Sequence, residues 1–289
     1  MDIKWPEPLI QELADRRCII FMGSGASAGS TSDLEESAKP PTWLELLTLI
    51  KNHLSKKEDL PIVNDLLSKD KYLDAAEILL KEVSQPDIDR ILREKLVTPH
   101  FKPSRIHKAV LQIDPKIVIT TNYDDIYEIF CNSSADAHDG YRTCTYYDTN
   151  IAATLKSPVR MIIKAHGCIK QPDKIVLTRS QYFKARKENS NFYRILDALF
   201  LTNTLFFIGY NLSDPDIQLV LENVNIVAES NYPHYAYMPT NIHKAIKNAI
   251  KTAYNIDIIE YSQGDYEELY RNFELLLEQV LAYRETYCI

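Results

Sequence analysis

The chain has 289 residues, a formal charge of −7, 45% hydrophobic and 25% charged residues, the balance of one large globular domain or of a core carrying an inserted module. An acidic chain offers no general basic field to nucleic acid, so a polynucleotide would be met through a local patch or through another protein. The opening Met1-Asp2-Ile3-Lys4-Trp5-Pro6 lacks the basic-then-apolar order of a signal peptide, and the five cysteines are too scattered for a disulfide framework or a Cys-x-x-Cys zinc pair. No apolar run has the length of a membrane span. A reduced, cytoplasmic protein is the expectation.

Periodicity predicts a short helix over 9–16, then a strand over 18–22, where Cys-Ile-Ile-Phe-Met is apolar throughout, as in a parallel strand covered on both faces. Gly23-Ser24-Gly25-Ala26-Ser27 turns into a helix, and 30–41 is polar and proline-ended, a loop. Thr42, with Glu45 three residues on, predicts a capping box for a helix over 43–54. Helical spacing of apolar residues then continues through 60–96. Residues 42–100 thus read as a helical module inserted into a single domain spanning 1–289, placed to lie over a crevice as a lid. Beyond it come a helix (105–112), a strand (116–120), a helix (125–130) and a polar, irregular stretch (132–156). Strands follow at 159–164 and 174–177, then helix 191–201, strand 205–209, and helix 214–223 with Ser213 or Asp214 as its cap. Strand 235–238, helix 241–254, strand 256–261 and an amphipathic helix over 266–283 close the chain. The alternation predicts an α/β fold, a doubly wound Rossmann-like parallel sheet with an inserted helical module.

Three segments follow predicted strands: the glycine loop, Thr120-Thr121-Asn122-Tyr123-Asp124, and Lys164-Ala165-His166-Gly167. Ligands of open α/β sheets bind outside the carboxyl ends of the strands, so the three meet in one crevice. Gly23 and Gly25 allow close backbone approach, and Ser24 and Ser27 offer hydroxyls, which suits a pyrophosphate. The spacing is not the common dinucleotide fingerprint and there is no Walker lysine; a tight strand-to-helix turn explains the loop equally well. Asn122 suits a ribose hydroxyl or a water and Asp124 a carboxamide, with helix capping as the alternative. His166 exchanges a proton near neutrality, as a general base must, or is a satisfied half-buried histidine. His53, His100, His107, His138, His234 and His243 have no comparable setting and read as surface or core residues. A fourth strand-end loop offers Gly209, Asn211, Ser213 and Asp214 to a nucleotide, or simply starts a capped helix. Together the motifs point to chemistry on a dinucleotide.

These motifs resemble the sirtuin-like superfamily. Gly23-Ser24-Gly25-Ala26-Ser27 is similar to its NAD loop, Thr121-Asn122-Tyr123-Asp124 to its Thr-x-Asn-x-Asp motif, and His166-Gly167 to its catalytic pair. Pro41-Thr42-Trp43, Leu177-Thr178 with Tyr182, and Gly209-Tyr210-Asn211-Leu212-Ser213-Asp214 resemble more closely the bacterial branch found in antiphage defence. The resemblance covers roughly residues 18–261. Sirtuin deacylases carry a zinc module with two Cys-x-x-Cys pairs; here Cys168 stands alone, which argues against acyl-lysine peptides, and no metal is expected. The resemblance implies an NAD+ glycohydrolase that releases nicotinamide and ADP-ribose, with NAD as substrate. Asn122 and His166 are its implied catalytic residues. Gly23, Ser24, Gly25, Ala26, Ser27, Asp124, Gly209, Asn211 and Ser213 are its implied NAD contacts.

The chain ends soon after its last predicted sheet element, so no fused sensor is expected. The resemblance therefore implies a partner in trans, a HerA-like ATPase or a short Argonaute-type protein, with nucleic acid met only indirectly. A protein deacylase, an NAD- or ADP-ribose-binding regulatory subunit without turnover, and a nucleotidase are the other readings; no paired carboxylates support the last. An off state is expected, with 30–41 and 60–85 as its gate. Aromatic groups at 232–237 and 283–287, with Trp5-Pro6 as an arm, predict the interface of a homo-oligomer docked on a ring-forming ATPase.

Overall fold

The computed structural model describes residues 3–35, 37–134, 140–228 and 232–287. Among them, β1 (Cys18–Met22), β2 (Ile117–Thr120), β3 (Tyr141–Thr145), β4 (Arg160–Lys164), β5 (Thr204–Ile208), β6 (His234–Pro239) and β7 (Ile256–Tyr261) form one sheet. Its order is β3-β4-β2-β1-β5-β6-β7 and every pairing is parallel. The chain leaves β1 to build one half of the sheet and returns beside β1 to build the other. The central strands are apolar throughout because both of their faces are covered.

The period of two along each strand divides the core. Cys18, Ile20, Met22, Val118, Ile162, Phe206 and Ile208 face one layer, formed by α1 (Glu7–Ala14), α7 (Arg105–Ile113), α8 (Ile126–Ser133) and α14 (Tyr266–Tyr287). Ile19, Phe21, Ile119, Met161, Ile163, Leu205 and Phe207 face the other. That layer holds α9 (Ile151–Leu155), α10 (Arg179–Glu188), α11 (Ser190–Thr202), α12 (Pro215–Val227) and α13 (Lys244–Tyr254). The expected doubly wound α/β sheet is therefore present.

Between β1 and β2 the chain forms α2 (Ser24–Ser27), then α3 (Trp43–Lys51), α4 (Leu60–Ser68), α5 (Tyr72–Glu82) and α6 (Gln85–Leu96). Thr42 and Glu45 make the expected capping box at α3. Helices α3 to α6 share a third apolar core, which takes in Cys168, Ile169, Ile175 and Leu177. These helices are thus seated on the segment that follows His166.

Several expectations are corrected. The stretch 132–156 contains β3 and α9, because an edge strand such as Tyr-Arg-Thr-Cys-Thr needs only one apolar face. Residues 174–177 are no strand: Ile175 and Leu177 enter the helical core, while Val176 enters the sheet core. Their apolarity comes from serving two cores. Trp5 is no free arm; its ring packs on Phe206 and Tyr237, and its indole N–H donates to the Asn272 carbonyl at 2.9 Å. Tyr235 and Tyr237 are core residues, while Tyr232 and Tyr287 are exposed. His138 and Cys288 lie outside the described residues. No helix among the described residues is long and apolar enough to cross a membrane.

Candidate active site

At the carboxyl edge of the sheet, β1 and β5 lead into two loops that touch through their backbones. The Gly23 N–H donates to Ile208 O at 3.1 Å and the Gly25 N–H to Gly209 O at 2.9 Å. A β-carbon on Gly23 would stand 2.3 Å from Gly209 O, and one on Gly209, where φ is +60°, would stand 2.2 Å from the Ala26 nitrogen. Only glycine permits this approach. Two amide protons near the loop are thereby engaged inside the protein. Ser104, the cap of α7, donates to Ala26 O at 2.7 Å and fixes the loop from its far side.

Asn122 enters from the end of β2. Its Nδ2 donates to Gly23 O (3.1 Å) and to Ser27 Oγ (3.2 Å). Ser27 Oγ donates in turn to Asp124 Oδ2 at 3.2 Å, and Asp124 Oδ1 accepts from the Ile126 N–H at the start of α8. Ser27 and Asp124 are buried and Asn122 is half-buried. Asn122 is therefore fixed through its amide nitrogen, and its carbonyl oxygen takes no part in the chain of bonds. Burial pushes the Asp124 carboxyl up to about 6, against the opposing pull of Lys164. Lys164, fully buried at the end of β4, donates to the Asp124 carbonyl and pairs with the buried Glu128. A buried ion pair thus underlies the Asn122 loop.

His166 arrives from β4. Its Nε2 stands 3.1 Å from Asp214 Oδ2, and both side chains are buried. The Tyr182 hydroxyl donates to the same Oδ2 at 2.9 Å and lies 3.4 Å from His166 Nδ1. Asp214 Oδ1 accepts from the N–H groups of Asp216 and Ile217, capping α12. Gly167, with φ +87°, brings the chain against the Lys174 carbonyl. The Val176 N–H then donates to His166 O, and the Tyr123 hydroxyl donates to Val176 O. Strands β2 and β1 lie between β4 and β5, a span of about 14 Å at ordinary strand spacing. The approach of His166 to Asp214 therefore arches over the ends of β2 and β1.

Gly23, Gly25, Ala26, Ser27, Asn122, Asp124 and Gly209 form one connected group, and His166 belongs to a second one beside it. Ser24 is exposed. Asn211 and Ser213 bond to each other at 2.6 Å and are exposed, with no bond to either group. Sequence reasoning missed Asp214 and Tyr182 as partners of His166, having read Asp214 as a helix cap or as part of a nucleotide-contacting turn. It also missed Lys164, although a lysine ending an apolar strand was a signal. Among the described residues no group of three or more His, Cys, Asp or Glu side chains is placed to hold a metal ion.

Residues 116–259 match the SIR2-like domain family. The chain is 25% identical over 228 residues to the NAD(+) hydrolase ThsA of Acinetobacter baumannii (strain 532279), covering 78% of this chain and 43% of that protein. It is 25% identical over 279 residues to defense-associated sirtuin 2 of Bacillus subtilis, covering 91% of this chain and 25% of that one. It is 28% identical over 137 residues to the ThsA of Enterococcus faecium, covering 47% and 28%. The chain spans less than half the length of these curated relatives. The matched segment runs from β2 into β7 and carries Asn122, His166, Tyr182 and Asp214. The chain thus carries a SIR2-like domain over residues 116–259, set on the doubly wound sheet.

Proposed function

We propose that this chain is an NAD+ glycohydrolase acting in antiphage defence, which converts NAD+ and water to ADP-ribose, nicotinamide and a proton. One observation carries the reading: Asn122, fixed through its amide nitrogen by Gly23 and Ser27, lies between a glycine loop and a strand-end histidine at the carboxyl edge of the sheet. The names of the relatives, NAD(+) hydrolase and defense-associated sirtuin, agree with it.

Breaking the nicotinamide–ribose bond develops positive charge on the ribose, and a fixed polar cradle lowers the barrier by positioning and electrostatics. The Asn122 carbonyl oxygen orients the ribose and the attacking water. His166 takes the proton from a ribose hydroxyl or from that water. The loop from Gly23 to Ser27, with the exposed Ser24 hydroxyl, holds the pyrophosphate, and Gly209, Asn211 and Ser213 face the rest of the nucleotide. Ser27 and Asp124, with their polar atoms already engaged, act through Asn122. In this reading 1–289 is one NAD-binding domain with 42–100 as its inserted module. It works in the cytoplasm as a homo-oligomer and is switched by a partner in trans, a HerA-like ATPase or a short Argonaute-type protein.

The test is nicotinamide release from NAD+ by the purified chain, alone and with its native partner. Release is expected in at least one condition; none in either overturns the hydrolase reading, and tight NAD+ binding without turnover would point to a regulatory subunit instead. Light scattering and co-elution test the assembly: a monomer at every concentration, or a partner that neither co-elutes nor changes turnover, overturns that part.

A further inference from the structure

We propose that Asp214 is the positioning residue of His166: it holds the imidazole with its proton on Nε2 and leaves Nδ1 as the nitrogen that takes a proton. The kinetic part rests on the hydrolase reading; the structural part does not.

Asp214 is in place independently of the histidine. Its Oδ1 accepts from the Asp216 N–H at 3.0 Å and the Ile217 N–H at 3.1 Å. The first turn of α12, a helix of 13 residues, therefore holds the carboxylate. Oδ2 faces two groups, the Tyr182 hydroxyl at 2.9 Å and His166 Nε2 at 3.1 Å. A carboxylate only accepts hydrogen bonds. In a buried site two acceptors at that distance repel, so the proton of a neutral imidazole belongs on Nε2.

Tyr182 has one hydroxyl proton, and the shorter approach to Asp214 takes it. The same hydroxyl makes only a long contact, 3.4 Å, with Nδ1. Nδ1 is thus the ring nitrogen held more weakly, and the one assigned to the substrate. The neighbouring Asp216 does not compete for these partners, since it is held by Tyr193 and faces Arg186. When Nδ1 removes a proton from a ribose hydroxyl or a water, the O–H bond breaks and an N–H bond forms. The resulting imidazolium then lies against the Asp214 carboxylate, which stabilises it without accepting the proton. The start of α12 thus sets the protonation geometry of a residue carried by β4, on the far side of β2 and β1.

Asp214→Asn is the informative variant, because Asn caps helices about as well as Asp. The helix N–H groups claim the Asn carbonyl oxygen, so the Asn amide turns a donor toward Nε2 and drives the ring proton to Nδ1. The expected result is a fall in kcat for nicotinamide release of about 10²–10⁴, with KM for NAD+ within about threefold and an unchanged thermal midpoint. Tyr182→Phe should give a smaller loss, because Asp214 remains. The second readout is independent of turnover. Long-range ¹H–¹⁵N spectra, with His166 assigned by its loss in His166→Ala, should show the Nε2–H form in the unaltered protein and Nδ1–H in Asp214→Asn. A tautomer untouched by the substitution overturns the proposal, and so does full or increased turnover in the folded variant. If the unaltered protein with its partner releases no nicotinamide, the hydrolase reading falls and the spectra alone decide the role of Asp214.

Discussion

The two halves of the candidate site are built from different material. The Asn122 half is set by backbone contacts: Gly23, Gly25 and Gly209 touch across β1 and β5, and Asn122 bonds directly to Gly23 O. Its geometry follows from the sheet. The His166 half hangs on side chains from separate pieces, Tyr182 of α10 and the Asp214 cap of α12, and its following segment is seated in the core of α3 to α6. Motions that alter a site draw on regions held by fewer independent contacts. Adjustment is accordingly expected in the His166 half and permanence in the Asn122 half.

The largest effects should come from removing one group from each half. Asn122→Ala and His166→Ala are each expected to lower nicotinamide release by about 10²–10⁴ while the fold survives. Full turnover in a folded form of either variant would remove that half from the chemistry. Lys164→Met should follow in size, since breaking a buried ion pair leaves Glu128 without its cation and costs about 3–5 kcal/mol in urea unfolding. Adding Glu128→Leu should recover much of that loss. If the double variant is no more stable than the single one, the pair is not what supports the Asn122 loop.

Glycine gives a sharper contrast within the backbone-built half. Gly209 and Gly264 both have positive φ, +60° and +80°, but a β-carbon meets the Ala26 nitrogen at 2.2 Å in the first and nothing within 4 Å in the second. Gly264→Ala should cost about 1 kcal/mol for its left-handed backbone alone. Gly209→Ala should cost about 2–4 kcal/mol by urea unfolding, because overpacking adds to that strain. Equal costs would mean that the β1–β5 loop contact yields easily, contrary to a rigid Asn122 half.

The same division explains what the sequence revealed. Features closed over a few residues were legible: the apolar run of β1, the glycine loop, the Thr42–Glu45 capping box and the Asp214 cap. Features whose second partner lies far along the chain were not. One oxygen of Asp214 caps its own helix, which the sequence announces. The other meets Tyr182, 32 residues away, and His166. Trp5 looked like an arm because its carbonyl acceptor is 267 residues downstream. The run Ile175-Val176-Leu177 resembled a strand because alternation does not say which core each side chain enters. Lys164 was the missed opportunity: a lysine directly after the apolar Met161-Ile162-Ile163 of a covered strand requires a buried partner.

Acidity offers a smaller test of the Asn122 half. Burial raises the Asp124 carboxyl from its ordinary 3.8 to about 6. The folded state therefore binds this proton more readily than the unfolded state. Its contribution to stability is full below about pH 4 and is lost as pH rises through about 6. Stability relative to Asp124→Asn should accordingly fall by about 2–3 kcal/mol between about pH 4 and about pH 7. Urea midpoints of both proteins across that range measure it. A difference that does not vary with pH would mean that Asp124 is ionised in the fold throughout.

The smallest effect is expected where the helical layer meets the His166 half through polar groups. Arg179 pairs with Asp74 at 3.0 Å, with side chains 65% and 44% exposed. Beside it, the N–H and hydroxyl of Ser180 donate to Glu77. An ion pair this exposed contributes less than about 1 kcal/mol, and salt screens it. The seat itself is apolar, formed by Cys168, Ile169, Ile175 and Leu177 within the core of α3 to α6. Arg179→Ala should therefore shift the urea midpoint little and leave turnover within about twofold, with any residual effect fading in high salt. A large change in turnover at unchanged stability would reverse the assignment. The polar seam between α5 and α10, rather than the apolar seat, would then set the position of His166, and salt rather than packing would govern how readily that half of the site moves.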